Sequence, residues 1–233
     1  MKKIFLYLLS LSLYCSCTDD NTSSQNFDHL KADASVTDPA GNVYEVGYEQ
    51  VSSINQNPFV LKKGANGAVI WKVNHEQTPV DGRAVFVGID QNDRIWVVFS
   101  VDGGSTESTS IVKFKVENNA FNGVYMNSYG SGGGAKVGIL AEINPANGNI
   151  KKGTFLTARL NNGKTNSLTI NKMGFNETGI LLETSTAAWP PGTGKSYKKY
   201  PDITDADRIN NFFQVKYKFS YDLSEILSAE IKK

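Results

Sequence analysis

The sequence predicts a single all-β domain built from antiparallel hairpins. Short apolar or alternating runs recur along the chain from Val36 onward, and turns rich in Gly, Asn and Asp separate them. The chain also carries a weak internal repeat with an offset of 52 residues. Together these features favour a propeller-like arrangement of hairpins, with a β-barrel or a two-layer sandwich as the alternative.

From residue 36 to the C-terminus we expect one strand and six hairpins, or about thirteen strands. The first strand follows a turn at residues 38–42. The hairpin turns are expected at residues 64–67, 90–93, 118–119, 145–148 and 176–179 and near Asp222. Each position supplies Gly, Asn or Asp, the residues that tolerate the left-handed backbone of tight turns.

The predicted strands differ in how their two faces are covered. The run RIWVVFS at residues 94–100 is apolar on both faces, so we expect this strand to be covered on both sides. The runs at 111–116 and 214–221 instead alternate, with lysines on one face and larger apolar residues on the other. Propeller blades that pack face to face typically contain inner strands that are covered on both faces and outer strands that are covered on one face.

The internal repeat has two types. The stretch DPAGNVYEVG at 38–47 is similar to 90–99 and, more loosely, to 175–185, whereas VLKKGANGAVIW at 60–71 is similar to 140–150. The region 38–71 resembles bacterial β-propeller repeats of the D-x-x-G-N-v-Y-v-x-G kind. This resemblance implies a compact ring of about four blades, because about 200 residues cannot supply the larger rings of that family.

The first residues have the anatomy of an export signal. Lys2 and Lys3 precede an apolar run at residues 4–14, which is too short to cross a bilayer core of about 30 Å as a helix. The run ends at Ser16-Cys17, which resembles the lipobox of bacterial lipoproteins. The following TDDN resembles the export signal of surface lipoproteins of the Bacteroidota type.

The lipobox resemblance implies a signal peptide at residues 1–16, acylation of Cys17, a flexible tether at 17–35 and a domain at 36–233. It also implies a location at the bacterial outer membrane or cell surface, with the membrane as a partner through the lipid. An ordinary cleaved signal with a coincidental cysteine is the alternative. Both cysteines, Cys15 and Cys17, precede the predicted domain, which therefore has none for a disulfide.

Two classes of partner are not expected. Lys and Arg number 24 and Asp and Glu number 23, so the chain has no net attraction to nucleic acid. The segment WPPGTGKS at 189–196 matches the end of a phosphate loop, but Trp189 stands where the first Gly is required. Pro201 limits any following helix to about one turn. We therefore expect neither a nucleic acid nor a nucleotide, and no motif requires a cofactor.

Few side chains suit metal binding or catalysis by histidine. The two histidines are His29, which falls in the predicted tether, and His75, which has no nucleophile-elbow sequence near it. The acidic run at 202–210 lacks the spacing and the turn Gly of a calcium loop. The glycine-rich stretch at 130–136 precedes a strand rather than a helix, so we expect a surface loop there.

Carboxylates near strand ends provide the enzymatic alternative, a carbohydrate-active hydrolase. Such enzymes use two carboxyl groups about 5–9.5 Å apart. The candidates are Asp81, Asp90, Asp93, Asp102 and Glu142. Because Asp residues in turns usually cap their own backbone, catalysis is the less favoured interpretation.

The three tryptophans are the best candidates for ligand binding. Trp71 and Trp96 lie within predicted strands, where core packing is the alternative, whereas Trp189 precedes two prolines in a predicted loop. An exposed Trp in a loop is a suitable platform for a sugar ring or a protein partner. The sequence therefore favours a lipid-anchored, non-catalytic binding or scaffold protein whose ligand is a glycan or a protein.

Overall fold

A computed structural model describes residues 30–75, 81–102, 115–132 and 136–233. The predicted signal peptide, Cys17 and His29 lie outside the described residues, as does most of the predicted tether. Strands form every regular element of the described chain except one 3₁₀ turn at Asp205–Asp207. The prediction of an all-β fold is therefore confirmed.

The described strands form three four-stranded sheets and one short ribbon. The first sheet contains β1 (Leu30–Thr37), β2 (Val43–Gln50), β3 (Gln56–Lys63) and β4 (Val69–Asn74). The second contains β5 (Gly82–Ile89), β6 (Ile95–Asp102), β7 (Lys136–Ile143) and β8 (Ile150–Leu156). The ribbon consists of β9 (Ala158–Arg159) and β10 (Thr165–Asn166). The third sheet contains β11 (Thr169–Asn176), β12 (Gly179–Thr186), β13 (Phe213–Phe219) and β14 (Ile226–Ile231).

Each four-stranded sheet is an antiparallel meander in which every strand pairs with the next one along the chain. β5 packs against β1, β2 and β3 of the first sheet, and β11 packs against β5, β6 and β7 of the second. The first strand of a sheet thus contacts the preceding sheet, so that successive sheets stack like blades. The described residues form no closed barrel.

The strand count is close to the prediction, but the grouping differs. There are fourteen described strands where about thirteen were expected, and three full sheets with a ribbon where about four blades were expected. One reason is that β1 begins at Leu30 rather than at residue 36, which completes the first meander. Another is that the second strand of one predicted hairpin does not form.

Both types of repeat fall at equivalent places in the sheets. One type covers the turn between the first and second strands, and the other covers the turn between the third and fourth. In each four-stranded sheet, an Asp or Asn of the first type accepts a backbone N–H of its own turn. The side chain of Asp38 accepts the N–H of Asn42 at 2.8 Å, and that of Asp90 accepts the N–H of Asn92 at 2.8 Å. In the third sheet the side chain of Asn176 accepts the N–H of Thr178 at 3.0 Å. The repeated Asp or Asn is therefore a turn-forming residue.

The second strand of the hairpin predicted around residues 118–119 does not form, and most of the first strand lies outside the described residues. The segment 115–132 contains no strand and instead runs along the outer edge of β8. There the N–H of Gly153 donates to Ala120 O at 2.9 Å. The apolar residues that produced the strand-like pattern enter the core from irregular backbone. They are Ala120, Phe121, Tyr125, Met126 and Tyr129. The segment thus covers backbone groups that an edge strand would otherwise expose.

The predicted exposure of two strands is confirmed. β6 is buried at every position from Ile95 to Phe99, as expected for a central strand covered on both faces. In β13 every second residue is buried. These residues are Phe213, Val215, Tyr217 and Phe219. The alternating run predicted at 111–116 lies mostly outside the described residues, so its exposure stays a prediction.

The turn between β7 and β8 docks on the last strand of the first sheet. Gly148 has a φ of +78°, and a Cβ there would lie 2.6 Å from Val73 Cγ2 and 2.7 Å from Trp71 Cζ3. Beside it, Trp71 Nε1 donates to Pro145 O at 3.1 Å, and His75 Nε2 lies 3.2 Å from Gly148 O. Glycine at this position permits the close approach of the two sheets.

Replacing Gly148 by Ala should destabilise the fold more than the same change at Gly67. The two glycines occupy equivalent turns with φ of +78° and +81°. Both variants should therefore lose about 1–2 kcal/mol from the left-handed backbone. Gly148→Ala should lose about 1–3 kcal/mol more from steric overlap, because a Cβ at Gly67 meets no described atom within 4 Å. Urea denaturation measures the difference, and equal losses would contradict the docking contact.

Candidate functional site

The five candidate carboxylates lie at opposite ends of the second sheet. Asp81 and Asp102 meet at one end, where Asp102 N donates to Asp81 O at 2.9 Å. Asp90 and Asp93 lie in the β5–β6 turn at the other end, and Glu142 lies near that end on β7. The eight residues of β5 separate the two groups by about 25 Å, well beyond the spacing of a glycosidase pair.

Asp90 is built into its turn. Its buried carboxylate accepts hydrogen bonds from Trp96 Nε1 at 2.9 Å and from Arg94 Nε at 2.7 Å. Burial raises the pKa of Asp90, but hydrogen bonds from Trp96, Asn92 and Arg94 and the charge of Arg94 outweigh it, holding the pKa below its usual value. A general acid in a glycosidase needs the opposite shift.

The other candidate carboxylates also join parts of the fold. Glu142 forms an ion pair with Lys151 at 2.7 Å, and Asp102 lies 3.6 Å from Lys136 Nζ. Asp81 accepts the N–H of Gln56 at 2.9 Å. Asp93 stands at a φ of +58° in the β5–β6 turn, a conformation that Asp tolerates better than most residues. These carboxylates therefore close turns and connect strands.

His75 is a core residue in the contact between the first and second sheets. Its imidazole is fully buried and tilts against Phe99, with ring centroids 5.1 Å apart. Burial lowers the pKa of His75 to about 3, although the hydrogen bond with Gly148 opposes this shift. The ring is therefore neutral near pH 7.

The segment 189–196 does not form the backbone of a phosphate loop. Gly192 N donates to Lys198 O at 2.8 Å, and Gly194 N donates to Ile226 O at 3.0 Å. Both amides are thus used within the protein, and no α-helix follows Ser196 in the described chain. A phosphate loop instead directs free amides at its ligand from the start of a helix.

The acidic run at 202–210 uses its carboxylates in a 3₁₀ turn. Asp205 lies 2.9 Å from Arg208 Nη2, and Asp207 accepts the N–H of Thr204 at 2.9 Å. Within the described ranges, no group of three or more His, Cys, Asp or Glu residues could hold a metal ion.

Trp96 and Trp71 are packing residues. Trp96 is 0% exposed, and Asp90 accepts its indole N–H. Because β6 is covered on both faces, the Trp96 ring leaves no surface for a ligand, which corrects its place among the ligand-binding candidates. Trp71 is half-buried against Tyr44, with ring centroids 6.1 Å apart, and against Gly148. The contact between the sheets accounts for Trp71 without a ligand.

Trp189 lies at the surface among cationic and aromatic side chains, which we call the Trp189 cluster: Trp189, Asn161, Lys199, Arg208 and Phe213. The Trp189 ring is half-buried, with Lys199 Nζ 3.4 Å and the Phe213 ring centroid 5.3 Å from its centroid. Arg208 Cζ lies 5.5 Å from the same ring, and the indole N–H donates to Asn161 Oδ1. Of these residues the sequence pointed only to Trp189.

Arg159 adjoins the Trp189 cluster. It exchanges two backbone hydrogen bonds of 3.0 Å with Trp189, and its Cζ lies 4.3 Å from the ring centroid of Tyr197. The Tyr197 hydroxyl donates to Trp189 O at 3.0 Å. Burial raises the pKa of Tyr197 to about 12, which keeps this donor protonated. An arginine in a two-residue strand belongs to no motif, so no sequence signal identified it.

A second surface lies on the outer face of the third sheet, with two grooves of about 530 and 470 Å³. Both grooves are lined by a row of charges that alternate in sign across the strands: Lys172, Glu183, Lys216 and Glu230. Glu183 lies 3.1 Å from Lys172 Nζ and 3.8 Å from Lys216 Nζ. Because Glu183 already pairs with both lysines, this face is a weaker ligand site than the Trp189 cluster.

No protein-family model matches this chain, and no curated protein is significantly similar to it. In the part of the chain that the structure describes, no helix has the length and apolar character needed to cross a membrane. The geometry of the described residues is therefore the basis for inferring a function.

His75 should make the stability of the fold depend on pH. The unfolded chain takes up this proton near pH 6.5, whereas the folded state resists it down to about pH 3. The stabilisation is therefore complete above pH 6.5 and is lost as the pH falls toward 3. In that window the free energy of unfolding should fall by at most about 1.4 kcal/mol per pH unit.

Urea denaturation between about pH 6.5 and 5 measures this slope before most carboxylates begin to titrate. His75→Gln should flatten the slope, whatever its effect on absolute stability. His29→Gln is the matched control and should retain it. A slope that persists in His75→Gln and disappears in His29→Gln would contradict the burial of His75.

Proposed function

We propose that this protein is a lipid-anchored, non-catalytic binding protein that takes a glycan at the Trp189 cluster. The observation that carries the proposal is the meeting of an aromatic ring, an amide side chain and an unpaired cation at one surface. Asn161 accepts the indole N–H of Trp189, and Lys199 forms no ion pair with any described residue. Such a set suits a sugar, whose apolar ring face stacks on an indole while polar neighbours bind its oxygens.

The position of Lys199 is compatible with ligand entry. Its side chain is exposed, and its ammonium lies over the Trp189 ring. A cation–π contact at an exposed site is worth only about 0.5–1 kcal/mol, so a sugar can displace this flexible side chain at small cost. Phe213 and Arg208 meanwhile hold the indole in place from within the cluster.

The contacts of the acidic side chains support binding over hydrolysis. Asp90 has a lowered pKa and a full set of hydrogen-bond donors, and Glu142 pairs with Lys151. A paired-carboxylate mechanism needs one carboxyl group that stays protonated near neutral pH. The carbohydrate-active hydrolase is therefore the less supported of the two functions.

The lipid anchor in this proposal rests on the sequence around Cys17. Residues 18–29 separate Cys17 from β1, which begins at Leu30. A chain of this length spans at most about 45 Å when extended. Acylation of Cys17 would thus keep the Trp189 cluster close to the membrane that carries the lipid.

Mass spectrometry of the mature protein should find a lipid-modified Cys17 at the N-terminus. Cys17→Ser should abolish the modification and release the protein from the membrane fraction, because the thiol is the acceptor of the first acyl group. Cys15→Ser is the matched control and should change neither result. An unmodified N-terminus at any other residue would contradict the anchor.

A glycan array probed with the purified protein should identify ligands whose binding depends on Trp189. Trp189→Ala should weaken binding at least about tenfold, the effect of losing roughly 1.4 kcal/mol of contact energy. Trp189→Phe should retain part of the affinity because it keeps an aromatic face. Lys216→Ala, in the groove of the third sheet, is the control and should bind like the wild type.

Two other outcomes would overturn parts of this function. Loss of binding in Lys216→Ala but not in Trp189→Ala would move the site to the third sheet. Release of reducing sugar, measured in parallel, would favour the hydrolase if Asp90→Ala or Glu142→Ala abolished it without unfolding the protein. Circular dichroism and thermal unfolding of each variant establish that it is folded.

A further inference from the structure

We infer that Arg159 is the anion-binding residue of this site and that the bound glycan carries a carboxylate, as a uronic acid does. This inference rests on the proposed glycan-binding function and specifies the class of glycan. A guanidinium group that the described protein leaves without hydrogen bonds is the primary observation.

Arg159 differs from the other three arginines of the chain. Each of these donates a hydrogen bond from its Nε: Arg83 to Gln56 at 2.7 Å, Arg94 to Asp90 at 2.7 Å, and Arg208 to Asp205 at 2.9 Å. The Arg159 guanidinium donates no hydrogen bond and forms no ion pair within residues 30–75, 81–102, 115–132 and 136–233. Arginine forks of this kind characteristically pair with carboxylate or phosphate groups.

The Arg159 side chain is held in a fixed position. Its backbone pairs with Thr165 on one side and with Trp189 on the other, and its guanidinium lies over the Tyr197 ring. Its Nε is buried, so the accessible edge of the fork is formed by the two Nη groups. Because these donors are already positioned, a carboxylate would bind them with little loss of side-chain entropy.

Tyr125 supplies a second buried polar group without a hydrogen-bond partner among the described residues, and the charge of Arg159 acts on it. The residue is 3% exposed, and its hydroxyl has no hydrogen-bond partner among the described residues. Burial raises the pKa of Tyr125, and the charge of Arg159 opposes this shift. Since buried polar groups nearly always have partners, two unsatisfied groups together mark a place suited to a polar ligand group.

Trp189 and Arg159 are placed to contact the same sugar. The two residues are directly opposite each other in a hydrogen-bonded pair, so their side chains leave the same face about 5 Å apart. In a uronic acid the carboxylate is attached to the sugar ring. A ring stacked on Trp189 therefore brings its carboxylate toward Arg159, with Lys199 as a second unpaired cation at the indole.

An acidic peptide would fit this surface less well. Extended peptides commonly bind by adding main-chain hydrogen bonds to a free strand edge. At the cluster, Arg159 and Trp189 already use their amides on each other, and Gly192 N donates to Lys198 O. The described surface thus offers side chains and an aromatic ring for recognition, which favours a carbohydrate over a peptide.

Binding of acidic polysaccharides and their neutral counterparts tests this inference. The probes are polygalacturonate, alginate and hyaluronan, each beside its carboxyl-reduced form, with poly-glutamate as a peptide probe. At least one uronate polymer should bind the full-length protein about tenfold or more tightly than its reduced form. Arg159→Gln should remove that preference. Arg83→Gln should keep it, as a matched variant whose guanidinium lies 4.2 Å from the Tyr48 ring.

A second measurement keeps the inference testable if Arg159→Gln proves unstable. The Nε–H signals of the four arginines can be followed by NMR in the wild-type protein. The Arg159 signal should shift on adding the bound uronate oligomer and stay unchanged with its reduced form. A shift confined to another arginine would overturn the assignment.

The remaining outcomes separate this inference from the proposed function. Equal binding of the acidic and reduced polymers, unaffected by Arg159→Gln, would refute the carboxylate and leave glycan binding intact. Failure of every polysaccharide, together with a negative glycan array, would refute both. Binding of poly-glutamate as tight as that of the uronates would show general attraction to anions and overturn the assignment of a carbohydrate.

Discussion

The burial of the second sheet on both faces is the constraint on which the described fold depends. Its central strand β6 carries Trp96 and Phe99 in an uninterrupted buried run, and such a strand needs cover from two directions. The first sheet and β11 of the third sheet both pack against this sheet. Removal of so much apolar surface from water is the main favourable contribution to folding, and it fixes the order in which the sheets stack.

Polar groups carried into this packing are satisfied locally. The Trp96 indole would leave a buried N–H, and Asp90 accepts it while also closing the β5–β6 turn. His75 stays neutral because its site is buried against Phe99 and the Gly148 carbonyl. Asp90 and His75, which look like candidates for chemistry, thus take part in packing a core that is buried on both faces. Their contacts matter because a buried polar group without a partner is costly.

The Trp189 cluster lies at the edge of the core, against the buried Phe213, and is assembled from distant parts of the chain. The irregular segment after β12 brings Trp189 and Lys199, the start of β13 brings Phe213, and the ribbon β9–β10 brings the adjoining Arg159. Here Arg159 and Lys199 form no ion pair with any described residue, in contrast to the charges on the third sheet, where Glu183 pairs with two lysines. The contrast is what makes this surface suited to an external anion.

The local features of the fold could be predicted from the sequence. Turn residues such as Asp90, the alternation of β13 and the two-sided apolar run of β6 depend on interactions within a hairpin or between adjacent strands. The repeats also placed equivalent turns correctly, because each repeat unit forms the same short-range contacts. Trp189 could be singled out because its loop position follows from the neighbouring prolines.

Long-range packing decided the rest. The apolar residues at 120–129 have the pattern of a strand. In the structure this segment instead has an irregular backbone, whose carbonyl groups accept N–H groups from the open edge of β8. The complete burial of Trp96 and the partial burial of Trp189 depend on which parts of the fold lie over them. Likewise, only the tertiary structure leaves Arg159 over the Tyr197 ring with no ion pair to a described acidic residue. A sequence pattern records which residues can be buried or charged, whereas the tertiary structure determines which neighbours they meet.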